Sequence, residues 1–138
     1  MKAYVDASVV LRIVLDQRGQ LDDVERLDEP LTSSLTLVEV LRTMDRVRPA
    51  GRVGSEALAV HYRKARELID QFSVVDLDAT TLQRSAEPMR TPLRTLDALH
   101  LATALRWCEA TGDTLLFATH DRELAEAAAV AGLEVLGA

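Results

Sequence analysis

Leu115–Leu136, LLFATHDRELAEAAAVAGLEVL, is the stretch that decides the fold class. Leu115–Thr119 has the makeup of a buried strand: short, apolar and ending on a β-branched residue. Asp121 then opens an alanine-rich helix predicted to run to Ala131, where Gly132 ends it. Glu134–Leu136 is a further short strand. A strand, a helix and a strand in so little chain make a crossover unit, the connection that parallel strands require.

The same alternation continues toward the N-terminus. Thr95–Ala110 is a helix closed by Gly112, after a loop that holds Pro92. Ala79–Glu87 is a short helix stopped near Pro88, and Ser73–Leu77 is a β-branched strand. Ser55–Gln71 is a long amphipathic helix behind a turn at Gly51 and Gly54. Leu35, Val38, Leu41 and Val47, with Val40 and Met44, mark a helix that stops before Pro49. Leu31–Ser34 is a strand preceded by Pro30, Lys2–Val5 is the first strand, and Ser8–Leu15 is the first helix. No linker, repeat or low-complexity segment interrupts the pattern. The expectation is one α/β domain over residues 1–138, a mainly parallel sheet covered on both faces. In such sheets the functional crevice lies beyond the carboxyl ends of the strands.

Composition narrows the class. With 138 residues, 48% hydrophobic and 28% charged, the chain can bury one sizeable core and is not disordered. Aromatics are only 4%, so Leu, Val and Ala must fill that core. A single cysteine, Cys108, excludes an internal disulfide. The opening MKAYVDAS places an aspartate where an export signal needs its apolar run, and no apolar stretch approaches the roughly 20 residues of a membrane helix. A cytoplasmic protein without a membrane partner is expected. The net charge of −6 counts against nucleic-acid binding by bulk charge, unless acids gather around cations that reverse the local sign. Arginines do cluster, at Arg42, Arg46, Arg48 and Arg52, at Arg63 with Lys64 and Arg66, and at Arg84, Arg90 and Arg94. Such runs serve either as solvated helix faces or as binding patches.

Four carboxylates fall where the crevice should be. Asp6 directly follows the first strand, and either it or Ser8 can cap the next helix. Glu39 interrupts the apolar run LTLVEVL; it is either half of a surface pair with Arg42 or a carboxylate held at a partly buried, functional position. Asp97 lies in the first turn of its helix, where the dipole favours negative charge. It also heads the stripe Leu101, Ala104, Leu105 and Cys108 that should face the sheet. Asp121 follows a strand and can cap the next helix; Thr119 offers a hydroxyl at the same strand end, and His120 between them is read as facing solvent. Four acids that close would repel strongly without cations. An all-oxygen set suits Mg²⁺ or Mn²⁺ rather than zinc, and such ions support hydrolysis of nucleic acid.

The segments YVDASVVLR, LTSSLTLVEVLRTM, LRTLDALHLATAL and LLFATHDRELAEAAAVAGLEV, in this order, resemble a PIN-domain ribonuclease of the VapC type, the toxin of a toxin–antitoxin (VapBC) pair. The resemblance covers nearly the whole chain. It implies a three-layer α/β/α sandwich around a five-stranded parallel sheet, and an endoribonuclease dependent on Mg²⁺ or Mn²⁺. It also implies a homodimer, an RNA substrate and silencing by a cognate VapB-type antitoxin. The family's acids map onto Asp6, Glu39, Asp97 and Asp121; Ser8 and Thr119 match positions that help place metal, water or phosphate. The expected arrangement has Asp6, Glu39 and Asp97 holding the principal ion, Asp121 completing the site, and Arg42 touching RNA or antitoxin.

Three rival readings fare worse. A phosphoryl-accepting signalling domain needs a lysine after a late strand, and the only lysines are Lys2 and Lys64. A dinucleotide-binding domain needs a Gly-rich turn after the first strand, which is missing. A catalytically silent PIN-fold domain that binds RNA or protein would have no need of the complete acidic set.

Overall fold

The computed structural model describes residues 1–17, 27–47 and 54–137. Arg48, Pro49, Gly51 and Arg52 lie outside these residues. The elements follow in the order β1 (Lys2–Val5), α1 (Ala7–Val14), β2 (Asp28–Ser33), α2 (Leu35–Val47), α3 (Ser55–Asp70), β3 (Ser73–Val75), α4 (Ala79–Ala86), α5 (Thr95–Thr111), β4 (Leu116–Ala118), α6 (Arg122–Val130) and β5 (Glu134–Leu136). The strands form one five-stranded sheet in the order β3-β2-β1-β4-β5, with every neighbouring pair parallel. The chain lays down β1, β2 and β3 in one direction, then returns to add β4 and β5 on the other side of β1. The reversal makes the β1/β4 boundary the switch point, where an open α/β sheet leaves a crevice at its carboxyl edge.

Alternation along the strands splits the core in two. Val5 and Ala118 face a cluster with Val9, Val10 and Val14 of α1, Val40 and Met44 of α2, and Ala65 and Ile69 of α3. Tyr4 and Phe117, one residue earlier in each strand, face the opposite cluster with Leu101 and Ala104 of α5 and Leu124, Ala127 and Ala128 of α6. Helices therefore cover both faces, as strands apolar on both sides demand. The α5 stripe behaves as predicted: Leu101 and Ala104 are buried, Leu105 and Cys108 partly so. Gly112 ends that helix in the left-handed conformation at φ +75°, its N–H bonded to the Cys108 carbonyl.

Two details differ from the periodicity reading. β2 begins at Asp28, ahead of Pro30, rather than after it. Pairing with β3 starts only at Leu31, so Pro30 lies beyond the end of β3, where a missing N–H breaks no ladder. In α2 the buried face runs through Thr36, Val40 and Met44, whereas Val38 and Val47 are exposed. Thr36 is tolerated inside because its hydroxyl bonds Thr32 Oγ1, which itself donates to the Val5 carbonyl. That hydroxyl chain ties the first turn of α2 to the ends of β1 and β2, and Glu39 sits one turn further on.

Candidate active site

Asp6 follows β1 and caps α1: its backbone is extended and Oδ1 accepts from the Val9 N–H at 3.2 Å. The same oxygen accepts from the Ser8 hydroxyl at 2.6 Å, while Oδ2 accepts from the Thr119 hydroxyl at 2.6 Å. Those hydroxyls in turn accept backbone N–H groups from the neighbouring strand end, His120 to Ser8 at 2.9 Å and Asp121 to Thr119 at 3.0 Å. The ends of β1 and β4 are thus stitched around one carboxylate. Burial is nearly complete, with Asp6 3% exposed, and it pushes the carboxyl pKa up against the lowering effect of the two hydroxyls.

Asp121 caps α6 in the same way, Oδ1 accepting from Leu124 N–H at 3.0 Å. Asp97 occupies the first turn of α5 and is partly buried. Its pKa is raised, first by desolvation and next by the negative charge of Asp121, with His100 opposing and Asp6 and Glu39 adding repulsion. No hydrogen bond or ion pair reaches Asp97 among the described residues. Glu39, on α2, accepts from His100 Nε2 of α5 at 2.5 Å. Tyr4 of β1 meets the other ring nitrogen of His100, with its hydroxyl 2.6 Å from Nδ1.

The site is therefore an oxygen-rich end of the sheet to which β1, β4, α2, α5 and α6 each contribute. All four predicted acids gather at this edge, close enough for Asp97 to feel the other three. They are not a ready-made cage: among the described residues no three His, Cys, Asp or Glu side chains stand close enough together to hold an ion at once. The donors nevertheless fit a hard cation. They are carboxylates and hydroxyls, and the repulsion on Asp97 goes unanswered by any arginine or lysine paired to it. A hydrated Mg²⁺ asks for only one or two direct carboxylates, the rest being reached through water.

Several individual expectations change. Glu39 does not pair with Arg42, which instead bonds Asp45 at 2.9 Å. His120 does not point to solvent: Nδ1 bonds the Gly137 carbonyl at 2.9 Å, and Nε2 is buried without a partner among the described residues. Arg84 is committed to Glu87 and Glu109, whereas Arg90 and Arg94 are exposed in the connection before α5. His100 and Tyr4 escaped the sequence reading. The available signal was a lone histidine inside the apolar run LDALHLATAL, three residues after Asp97 and hence on the same helix face.

Comparison with known proteins agrees with the architecture. The PIN domain family matches residues 3–130 of the chain. Among solved structures, FitAcB from Neisseria gonorrhoeae superposes with a TM-score of 0.71 at 17% identity, covering 99% of this chain and 96% of that one. The toxin–antitoxin complex from Klebsiella pneumoniae gives 0.65 at 18% identity, with 89% and 90% covered. PAE2754 from Pyrobaculum aerophilum gives 0.66 at 20% identity, with 98% and 83% covered. Identities this low establish a shared fold. Comparison with curated protein sequences gave no match.

Proposed function

Because this chain belongs to the PIN domain family, whose members are nucleases that generally use divalent metal ions, we propose that it is a Mg²⁺- or Mn²⁺-dependent endoribonuclease. The observation that carries the proposal is Asp97: a partly buried carboxylate whose pKa is raised by desolvation and then by the charge of Asp121, with Asp6 and Glu39 adding to it, at the switch point of a parallel sheet. Such repulsion at a functional crevice is what a bound cation would relieve.

In this reading Asp6, Glu39 and Asp97 would hold the principal ion, one or two of them directly and the rest through water, and the Asp121 oxygen not used as a cap would complete the site directly or through water. When bound, the cation supplies charge neutralisation at the scissile phosphate and an activated water. The chain's own residues orient the parts. Ser8 and Thr119 fix both oxygens of Asp6 and, through it, help place water or phosphate. The apolar walls of β1 and β4 keep that carboxylate dry, which strengthens its hold on a cation. Arg42, exposed on α2, is assigned to RNA phosphate or to a protein partner.

The biological role in the proposal is that of the toxin in a type II pair, a cytoplasmic homodimer restrained by a VapB-type antitoxin. The Klebsiella pneumoniae relative, solved as a toxin–antitoxin complex, supports this role, as does the agreement of four ordered segments with the VapC type. No helix among the described residues is long and apolar enough to cross a membrane. The test is incubation of the purified chain with single-stranded RNA and Mg²⁺ or Mn²⁺, with matched single- and double-stranded DNA alongside. Cleavage confined to RNA, lost with EDTA and in Asp97→Asn, is expected; cleavage surviving EDTA, or full activity of the variant, overturns the assignment. Co-expression with a cognate antitoxin, whose small reading frame is expected immediately upstream of the gene, should relieve growth arrest.

A further inference from the structure

We infer that His100 is a positioning residue, the middle of a buried relay Tyr4–His100–Glu39 that sets the Glu39 carboxylate in place for the cation. The inference rests on the reading of Glu39 as a metal ligand. The relay spans all three layers at the carboxyl edge of the sheet. Tyr4 belongs to β1, His100 to α5 on one face and Glu39 to α2 on the other, separated by 96 and 61 residues in the chain.

Hydrogen-bond roles follow from the chemistry of the groups. An ionised carboxylate only accepts, so Nε2 carries the hydrogen and donates it to Glu39. With Nε2 turned to Glu39, Nδ1 faces the Tyr4 hydroxyl and shares a hydrogen bond with it. Tyr4 is fully buried, so its hydroxyl has His100 as its partner rather than water. The ring of Tyr4 is itself held, stacked on Phe117 at 5.2 Å and edge-on to His100 at 5.9 Å. His100 is 2% exposed and has both nitrogens engaged, so its ring has one orientation. Glu39 would otherwise be a long, half-free side chain at the rim of an acidic site. A carboxylate steered by an outer hydrogen bond of this kind commonly changes metal affinity about 10–100-fold when the partner is removed.

The experiment measures Mn²⁺ affinity of the full chain by titration calorimetry or by the EPR signal of free Mn²⁺, with fold checked by circular dichroism and Tm. His100→Gln places an amide donor near the position of Nε2; His100→Asn reaches only as far as Nδ1, so it can meet Tyr4 but not Glu39. Expected are a severalfold loss for Gln, which keeps the bond to Glu39 but not that to Tyr4, and a loss of about 10–100-fold for Asn. Tyr4→Phe keeps the ring stack and deletes only the hydroxyl; it should weaken Mn²⁺ binding severalfold, and it decides the matter should the Asn variant fail to fold. Wild-type affinity in His100→Asn or in Tyr4→Phe, or no recovery in Gln, overturns the relay. Asp97→Asn separates the two layers of inference. If it loses Mn²⁺ while the His100 and Tyr4 variants do not, the relay alone falls; if it binds like wild type, or wild type binds no Mn²⁺, the metal reading falls and takes the relay with it.

Discussion

Asp6 and Asp78 are the same local device in two different places. Each caps a helix from an extended backbone, φ −86° and ψ 174° for Asp6, φ −87° and ψ 173° for Asp78. Each accepts the N–H three residues on, at 3.2 Å from Val9 and 2.7 Å from Thr81. Their carboxyls nonetheless shift in opposite directions. Burial drives the Asp6 pKa up, while the Thr81 N–H holds that of exposed Asp78 down. The cap itself is a stabilising motif anywhere. It becomes a candidate catalytic group only where the sheet buries it and two hydroxyls close around it, beside Asp97.

The largest effect expected from this contrast is on catalysis. Asn is as good a cap as Asp, so neither Asp6→Asn nor Asp78→Asn should unfold its helix. In an RNA cleavage assay Asp6→Asn should lose about a thousandfold, roughly 4 kcal/mol of transition-state stabilisation, and Asp78→Asn should stay within about twofold. Equal losses in the two variants would erase the distinction.

Next in size is the response to metal. A ligand that binds only the folded state stabilises it by about 2.7 kcal/mol at a hundredfold excess over Kd. Saturating Mn²⁺ should therefore raise the Tm of wild type and of Asp78→Asn clearly, and that of Asp97→Asn little. A uniform rise in all three would point to an ion bound elsewhere.

Smaller again is the effect of Asp97 on the metal-free protein. Its pKa is raised in the fold, by desolvation and then by Asp121, so the fold prefers the proton and ionisation works against stability. The penalty is present at neutral pH, fades as pH falls through the raised value, and is gone below the ordinary carboxylate value of about 4. Asp97 remains partly exposed, and solvent screening keeps the effect below about 1 kcal/mol. Asp97→Asn should melt slightly higher than wild type at pH about 7, the gap closing toward pH about 4. A variant that melts lower at neutral pH would mean that the acids do not repel.

The smallest change is at the exposed cap. Asp78→Ala should lower Tm modestly at neutral pH. Because the folded pKa is depressed, the cap's stabilisation is present above the ordinary carboxylate range and disappears as pH falls through the depressed value. Melting curves for variant and wild type should therefore converge in acid, opposite to the sign for the metal-free Asp97 pair at neutral pH.

Much of this was legible beforehand, for physical reasons that differ by residue. Strand and helix alternation shows in local hydrophobic period, and every element anticipated among the described residues is present, with ends shifted by a few positions. Asp6 and Asp121 announce themselves by following apolar strands, and Asp97 by heading an apolar helical stripe. Glu39 stands out as a charge in an apolar run, but its partner does not, because the nearer candidate Arg42 chooses Asp45. His100 shows only as a lone histidine in an apolar run, and its role does not show because both of its contacts are remote in the chain.

By itself, then, the sequence determined the layered α/β class and singled out four acids as candidates, because each depends on neighbours a few residues away. Only the tertiary structure decided which cap is buried, that Asp97 lies within reach of three other charges, and that Tyr4, His100 and Glu39 join in one chain. Desolvation and charge repulsion depend on what packs around a group in space, and that is set when a parallel sheet brings distant strand ends to one edge.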